Sequence, residues 1–237
     1  MRHAKKLFVV SDVHGHYTLL KNALEKAGFD KENPEHLLVC CGDYFDRGTE
    51  NREVLTFLES IPNKILLRGN HEDLLEKVLK TGRMEVHNYI NGSPATIRSF
   101  FGPYALREDG SVDTEGKTSM VNWLSTFIED LFDFYETEKY IFVHGWLPVR
   151  ETAGGVELLP QWHRATAREW AKARWVRWTQ MAGQCPMPEK TIVCGHYPTF
   201  MAPDRSHQDS DIYYGEGFIA IDAGTAQSGR VNVLVLE

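Results

Sequence analysis

The chain has 237 residues, of which 42% are hydrophobic and 25% are charged, and its formal net charge at pH 7 is −7. This length fits one large domain, and the composition is ordinary for a globular protein with a sizeable buried core. The acidic balance provides no overall attraction to nucleic acid or to an anionic membrane surface, so neither is expected as a partner.

The start of the chain and its cysteines predict a cytoplasmic protein. The basic segment 1–6 precedes the apolar run Leu7–Val10, which is too short for the core of a signal peptide. No apolar run approaches transmembrane length. The cysteines show no CxxC spacing, and we expect buried free thiols, which indicate a reducing compartment. They are Cys40, Cys41, Cys185 and Cys194.

The first 80 residues alternate between strand and helix patterns. Apolar runs of strand length occur at 7–10, 37–41 and 64–67, and stretches with helical periodicity follow them at 19–27, 50–60 and 73–80. Three strand–helix pairs in succession predict the parallel sheet of an α/β protein.

Residues from about 82 to 138 interrupt this alternation with mixed helical and loop patterns, punctuated by glycine and proline. An amphipathic pattern at 121–131 predicts one helix within them. We interpret the stretch as a helical insert or cap within a single domain that covers 1–237. Its aromatic residues are predicted to form mostly a small core of their own: Tyr89, Phe100, Phe101, Tyr104, Trp123 and Phe127.

Strand patterns return in the second half of the chain at 140–143 and 191–194, on either side of a Trp- and Arg-rich helical region at 160–183. The last two strands are predicted at Phe218–Ile221 and Val231–Leu236. Turn residues between these two indicate antiparallel pairing, so the sheets are expected to be mixed.

Five of the predicted strands end in residue types that bind metal ions. Each has an ordinary explanation as a cap, turn or hydrogen-bonded loop residue, but the strand ends of one sheet converge on a common crevice. The donors are oxygen and imidazole without thiolate, which suits Mn, Fe or Zn, and they exceed what one catalytic ion needs. We therefore predict two divalent ions, Mn²⁺ first among them. The predicted ligands are Asp12, His14, Asp43, Asn70, His144 and His196.

The loop that follows the second strand, residues 42–48, reads Gly-Asp-Tyr-Phe-Asp-Arg-Gly. Alone, it could be an ordinary turn, since Gly and Asp are common turn formers. Among the other strand ends, Asp43 is the natural candidate for a carboxylate that bridges two ions, which two-metal sites hold about 3.5–4 Å apart.

Five motifs occur in the order typical of the calcineurin-like metallophosphoesterases, and the chain resembles that family from Leu7 to Leu236. The motifs are Asp12-Val13-His14-Gly15, the loop 42–48, Gly69-Asn70-His71-Glu72, His144-Gly145 and Gly195-His196. The Asp-Arg-Gly and Asn-His-Glu elements are similar to the serine/threonine phosphoprotein phosphatase branch, and the short length and the ending of the chain resemble its bacterial and phage members. The resemblance implies an α/β fold (α+β in some schemes), with mixed sheets packed as a central sandwich, flanking helices and a helical insert.

The resemblance also implies roles for the motif residues. Asp12, His14 and Asp43 would hold the first ion, and Asp43, Asn70, His144 and His196 would hold the second. His71 resembles the general acid that protonates the leaving oxygen, which suits a histidine because its pKa lies near operating pH. Asp46 would orient His71, and Arg47 would bind the phosphoryl oxygens through its guanidinium fork.

The resemblance implies a second phosphate-binding arginine beyond His144, and the sequence leaves its position open. Arg177 is the best local match, with Arg164, Arg168 and Arg174 as rivals in the same helical region. The region could equally be an amphipathic helix whose tryptophans pack and whose arginines are solvated.

Nearby, the family's usual His-Gly-Gly reads His144-Gly145-Trp146, and Trp146 is expected to crowd or shape the site, as a stacking surface for a base or an aromatic leaving group.

The resemblance implies a metal-dependent phosphoesterase that hydrolyses phosphomonoesters with a water activated by two ions, and we expect a serine/threonine protein phosphatase. Its substrate would be a phosphorylated protein or a small phosphoester. The alternative is a symmetrical diadenosine tetraphosphate hydrolase or another nucleotide phosphohydrolase. A third hypothesis is a non-catalytic scaffold of the same fold, which the presence of His71 and of every predicted ligand argues against.

Overall fold

The computed structural model describes residues 6–152, 155–181, 189–203 and 209–237. The strands are β1 (Lys6–Val10), β2 (His36–Cys40), β3 (Lys64–Leu66), β4 (Phe134–Glu136), β5 (Tyr140–Val143), β6 (Val149–Thr152), β7 (Gly155–Leu158), β8 (Thr191–Cys194), β9 (Tyr213–Gly215), β10 (Phe218–Ala220) and β11 (Leu234–Leu236). The α-helices are α1 (Tyr17–Lys26), α2 (Asn51–Glu59), α3 (Asn70–Thr81), α4 (Val86–Ile90), α5 (Ser93–Phe101), α6 (Thr118–Glu129), α7 (Ala167–Ala173), α8 (Trp178–Met181) and α9 (Thr225–Ser228).

The strands form two mixed sheets and a hairpin. The first sheet has the order β11-β1-β2-β3, with β1, β2 and β3 parallel and β11 antiparallel to β1. The second has the order β4-β5-β8-β10-β9, in which the three central strands are parallel and the two edge strands are antiparallel. Strands β6 and β7 pair as the hairpin. The predicted α/β fold with mixed sheets is confirmed.

The predicted antiparallel pairing of the last two strands is wrong. Strand β10 lies in the second sheet beside β8, whereas β11 lies at the edge of the first sheet, where Leu236 is opposite Leu7. The connection contains α9, which begins after Gly224 and ends before Gly229. A segment with its own helix carries the chain from one sheet to the other instead of closing a hairpin.

The two sheets pack face to face and bury a shared apolar layer, which confirms the central sandwich. The first sheet and its following loops contribute Val9, Val39, Cys41, Ile65, Leu67 and Leu234, and the second sheet and its following loop contribute Phe142, Val193, Ile219 and Ile221.

Cys40, Cys41 and Cys194 are buried free thiols, as expected, whereas Cys185 lies outside the described residues. No helix in the described part of the chain is long and apolar enough to cross a membrane.

Helices cover the outer face of the first sheet. Helices α1 and α2 pack apolar stripes against it, including Leu20, Leu24, Val54 and Leu58.

The aromatic residues of 82–138 do not form a core of their own: Phe100, Phe101 and Phe127 belong to the same buried cluster as Phe8 and Phe45. That prediction is wrong because Phe45 of the loop 42–48 packs edge-on against both Phe100 and Phe127. The boundaries of the insert stay a prediction.

Tryptophans cover the outer face of the second sheet. Trp146, Trp162, Trp170 and Trp178 are buried there in one cluster. The helical region predicted at 160–183 divides into a single 3₁₀ turn at Trp162–Arg164, then α7 and α8, and its last two residues lie outside the described residues. The expectation of a stacking surface at Trp146 is wrong, because this side chain is 1% exposed and packs against Phe218.

Candidate active site

The loops that follow five strands meet at one end of the sandwich and bring the predicted metal ligands together. Asn70 Oδ1 lies 2.7 Å from Nε2 of His144 and 2.9 Å from Nδ1 of His196. Asp43 Oδ1 lies 3.4 Å from Nε2 of His144, and its Oδ2 lies 3.8 Å from Nε2 of His14. Asp12 Oδ2 accepts a hydrogen bond from the backbone N–H of His196 at 2.9 Å.

Two groups of side chains in the described part of the chain could each hold a cation, and both contain Asp43. One consists of His14, Asp43 and His71, the other of Asp43, His144 and His196, and within each group the ligand atoms lie within 4.8 Å of one another. Asn70 adds an amide oxygen to the second group through its contacts with both histidines. The shared position of Asp43 agrees with a carboxylate between two ions.

The hydrogen bonds of the histidines fit metal binding. Nδ1 of His144 donates to the carbonyl oxygen of Cys41 at 2.7 Å, and Nδ1 of His14 donates to that of Phe45 at 2.9 Å. Each bond fixes the tautomer, so the unprotonated Nε2 faces the site. The lone pair of His144 Nε2 therefore faces Asn70 Oδ1, and a cation bound by both atoms would turn this repulsion into attraction.

Burial keeps these imidazoles neutral, as metal ligands must be. Burial, with the charge of His196 as a further cause, lowers the pKa of His144 to about 3 despite the opposing attraction of Asp12. Burial, reinforced by the charge of His71, lowers the pKa of His196 to about 4. For Asp43, burial raises the pKa well above its ordinary value, which is the destabilisation that a bound cation relieves.

The backbone of the site is strained. In the described ranges, seven residues other than glycine have a positive φ, and six of these are predicted site residues. They are Asp12 (51°), His14 (47°), Asp43 (58°), Asp46 (73°), Arg47 (64°) and His196 (67°), and the seventh is Gln161. Residues other than glycine rarely adopt this conformation, and it persists where surrounding contacts hold it.

Glu72 is one of the contacts that hold the strained loop, and motif reasoning gave it no role. Its buried carboxylate accepts hydrogen bonds from the backbone N–H groups of Asp43 (2.9 Å), Tyr44 (3.0 Å) and Gly69 (2.9 Å). A Cβ at Gly69 would overlap Asp43 Oδ1, so this approach requires glycine. The signal in the sequence is the acidic third residue of α3, where a carboxylate can reach back to backbone donors.

His71 and Asp46 form a buried pair. Nδ1 of His71 donates to Asp46 Oδ2 at 2.7 Å, and its Nε2 lies 3.7 Å from Asp43 Oδ2. Burial opposes protonation of His71, but the charge of Asp43, and then the hydrogen bond and charge of Asp46, outweigh it and raise the pKa of His71 to about 9. The exposed Arg47 places Nη2 3.4 Å from Nε2 of the same ring.

The four candidate arginines differ in burial and in the groups that they contact. Arg174 is buried and ion-paired with Asp73 at 2.8 and 2.9 Å and with Asp133 at 2.6 Å, so it holds elements together. Arg177 is exposed, lies over the ring of Tyr197 at 4.8 Å, and lowers the pKa of His196 through its charge, behind burial and His71. Arg164 and Arg168 are exposed on the 3₁₀ turn and on α7.

Trp175, one of the tryptophans that the amphipathic-helix interpretation expected to pack, lies beside the site. Its ring is 5.9 Å from that of His196 and 5.2 Å from that of His87, and it is 38% exposed. Trp175 therefore links α4 to the predicted metal ligand His196, and part of its aromatic surface stays open to solvent.

A two-sheet sandwich that gathers buried oxygen and imidazole donors around a shared carboxylate at its carboxyl-terminal strand ends is typical of metal-dependent hydrolases. The family model described as calcineurin-like phosphoesterase matches residues 5–220, and the chain belongs to this family.

Relatives of the chain carry two different activities in their names. The serine/threonine-protein phosphatase 2 of Escherichia coli is 36% identical over 80 residues, which are 34% of this chain and 35% of that protein. The symmetrical bis(5'-nucleosyl)-tetraphosphatase of Coxiella burnetii is 25% identical over 163 residues, 69% of this chain and 45% of that protein. The matches thus span less than half of these curated relatives.

A solved structure confirms the fold over nearly the whole chain. The cold-active protein-tyrosine phosphatase of a psychrophilic Shewanella species has a TM-score of 0.58 and 18% sequence identity. The match covers 98% of this chain and 75% of the other. At this identity the likeness concerns the fold alone.

Proposed function

We propose that this chain is a metal-dependent phosphomonoesterase that acts on phosphoserine or phosphothreonine in proteins. The observation that carries the proposal is the position of Asp43, which belongs to both groups of candidate metal ligands. Membership of the calcineurin-like phosphoesterase family supports it. Asp12, His14 and Asp43 would hold one ion, and Asp43, Asn70, His144 and His196 the other. When bound, divalent ions supply Lewis-acid stabilisation and lower the pKa of water towards neutrality.

The remaining side chains would bind the phosphate and move a proton. Arg47 would bind phosphoryl oxygens beside Nε2 of His71, because its Nη2 lies 3.4 Å from that atom. His71 would donate the proton on Nε2 to the leaving oxygen, since Asp46 occupies its Nδ1. This arrangement supports an acid role for His71 rather than a ligand role in its group. Arg177 would bind a second phosphoryl oxygen from the side of His196.

Manganese is the proposed metal, with iron and zinc as alternatives. Carboxylate, amide and imidazole donors without thiolate suit all three ions, and the carboxylate and amide oxygens are the donors that suit manganese. Protein stripped with a chelator should not hydrolyse p-nitrophenyl phosphate and should recover with Mn²⁺. Turnover that is independent of added and bound metal would contradict the proposal.

The symmetrical diadenosine tetraphosphatase activity is the second candidate, because a relative with that name matches 163 residues of the chain. One assay should compare a phosphopeptide, p-nitrophenyl phosphate, bis-p-nitrophenyl phosphate and diadenosine tetraphosphate at equal concentration and metal loading. The proposal predicts the highest kcat/KM on the phosphopeptide and little turnover of the diester. A higher value on diadenosine tetraphosphate would favour the second candidate.

A further inference from the structure

The first turn of α5 contacts the loop 42–48 at Asp46. Ser93 Oγ donates to Asp46 Oδ2 at 2.9 Å, and Thr96 Oγ1 donates to Asp46 Oδ1 at 2.5 Å. Thr96 Oγ1 also accepts a hydrogen bond from the backbone N–H of Asp46 at 2.8 Å. Both hydroxyl-bearing side chains are fully buried. Each oxygen of the Asp46 carboxylate is therefore held by a hydroxyl from α5, without competition from bulk water.

The spacing of the two residues explains how one helix supplies both donors. Residues three apart lie on the same face of a helix, so Ser93 and Thr96 point in one direction. Gly92, immediately before α5, brings the backbone close: its carbonyl oxygen accepts from the N–H of Arg47 at 3.2 Å, and a Cβ there would lie 2.8 Å from that nitrogen. The start of α5 thus holds Asp46 and Arg47 together.

These two loop residues need such contacts because both are strained. Asp46 has a φ of 73° and Arg47 a φ of 64°, a region that residues other than glycine rarely occupy. Strained backbone persists only where its surroundings determine it, and here the hydroxyl of Thr96 and the side chain of Asn51 both accept from the Asp46 N–H.

The contacts extend to the proton donor. Asp46 Oδ2 accepts from Ser93 and, at 2.7 Å, from Nδ1 of His71. Because two hydroxyls restrain the rotation of the carboxylate, they also restrain the ring of His71, and hence the direction of Nε2. We infer that Ser93 and Thr96 are positioning residues that act through Asp46 to aim His71 at the leaving oxygen. This inference rests on the proposed function.

The dependence of rate on the leaving group tests this role. General-acid assistance matters most when the leaving oxygen is strongly basic, and it typically contributes about 10²–10⁴-fold. For Ser93→Ala and Thr96→Val, we expect kcat on phenyl phosphate to fall by about 10-fold, a part of that contribution. On p-nitrophenyl phosphate, whose leaving group needs little protonation, we expect a loss under about 3-fold on the same grounds. KM and bound metal should remain at the values of the unsubstituted protein.

Two matched variants control for general damage to α5. Thr96→Ser keeps the hydroxyl and should restore the rate on phenyl phosphate. Ser99→Ala removes a half-buried hydroxyl from the same helix that accepts from the backbone of Arg52, at 3.4 Å, and it should leave both rates unchanged. His71→Ala provides the upper limit of the leaving-group effect.

The outcomes separate this inference from the function beneath it. Equal losses on both substrates, or losses that follow bound metal, would give Ser93 and Thr96 a general structural role and overturn the inference alone. Failure of Thr96→Ser to restore the rate would overturn it for Thr96. Absence of metal-dependent turnover in the unsubstituted protein would overturn the proposed function and the inference together.

Discussion

The stretch 82–138 and the Trp- and Arg-rich region that begins at 160 contact the same site in different ways. From the first, α5 sends two buried hydroxyls to Asp46. From the second, most large side chains pack against the second sheet. The charge of Arg177 lowers the pKa of His196, behind burial and His71. The two regions meet where His87 packs edge-on against Trp175. Polar contacts with the strained loop therefore come from α5, whereas the Trp- and Arg-rich region contributes mainly apolar packing and the exposed Arg177.

The largest effect is expected from removing His71, the ring that α5 orients through Asp46. His71→Ala should lower kcat on phenyl phosphate by about 10²–10⁴-fold, because the general acid is lost. Bound metal should change little, since His14, Asn70, His144 and His196 remain. Steady-state kinetics with metal analysis measures both quantities, and His163→Ala, an exposed histidine on the 3₁₀ turn Trp162–Arg164, is the matched control. A variant that keeps its rate on this poor leaving group would remove His71 from the acid role.

Arg174 should affect stability far more than catalysis. Arg174→Met leaves Asp73 and Asp133 without their buried partner, and we expect a loss of about 2–4 kcal/mol in the free energy of unfolding. The lower end of that range allows for the partial exposure of both carboxylates. Chemical denaturation measures the loss, and the exposed Arg168→Met should stay within about 0.5 kcal/mol. A stable but inactive Arg174 variant would reverse the roles assigned to the arginines.

Much of this molecule follows from local patterns in the sequence, and the rest depends on distant contacts. The residues at the strand ends predict the candidate metal ligands, because parallel strands bring their carboxyl ends to one edge of a sheet. The roles of Ser93 and Thr96 have no such signal, since a Ser and a Thr on an amphipathic helix usually cap or face solvent. The edge position of β11 likewise depends on which sheet offers an unpaired strand, which no local pattern encodes.

Arg177 provides the opposite pattern to Arg174. Arg177→Ala should raise KM for a phosphomonoester by about 10-fold, equivalent to about 1.4 kcal/mol, because one charge-assisted contact with phosphate is lost. The melting temperature should remain constant, since the side chain is exposed. Arg164→Ala and Arg168→Ala test the rivals in the same assay. If one of them raised KM while Arg177→Ala did not, the second phosphate contact would belong to that residue.

The smallest expected effect concerns pH and isolates the part that Asp46 plays. Asp43 and Asp46 raise the pKa of His71 to about 9, so the ring stays protonated through neutral pH and loses its proton as pH rises through that value. A general acid must be protonated, so the rate should fall on the alkaline side. In Asp46→Asn the charge is lost, the pKa of His71 is lowered, and the alkaline limb should move to lower pH by about one unit or less. Profiles of kcat/KM measured on phenyl phosphate, at constant metal loading, give this shift. Thr96→Ser should leave the limb in place because it keeps the hydroxyl that holds Asp46. A limb that stays fixed in Asp46→Asn would show that a group other than His71 titrates there. Asp46 would then no longer connect Ser93 and Thr96 of α5 to the proton donor.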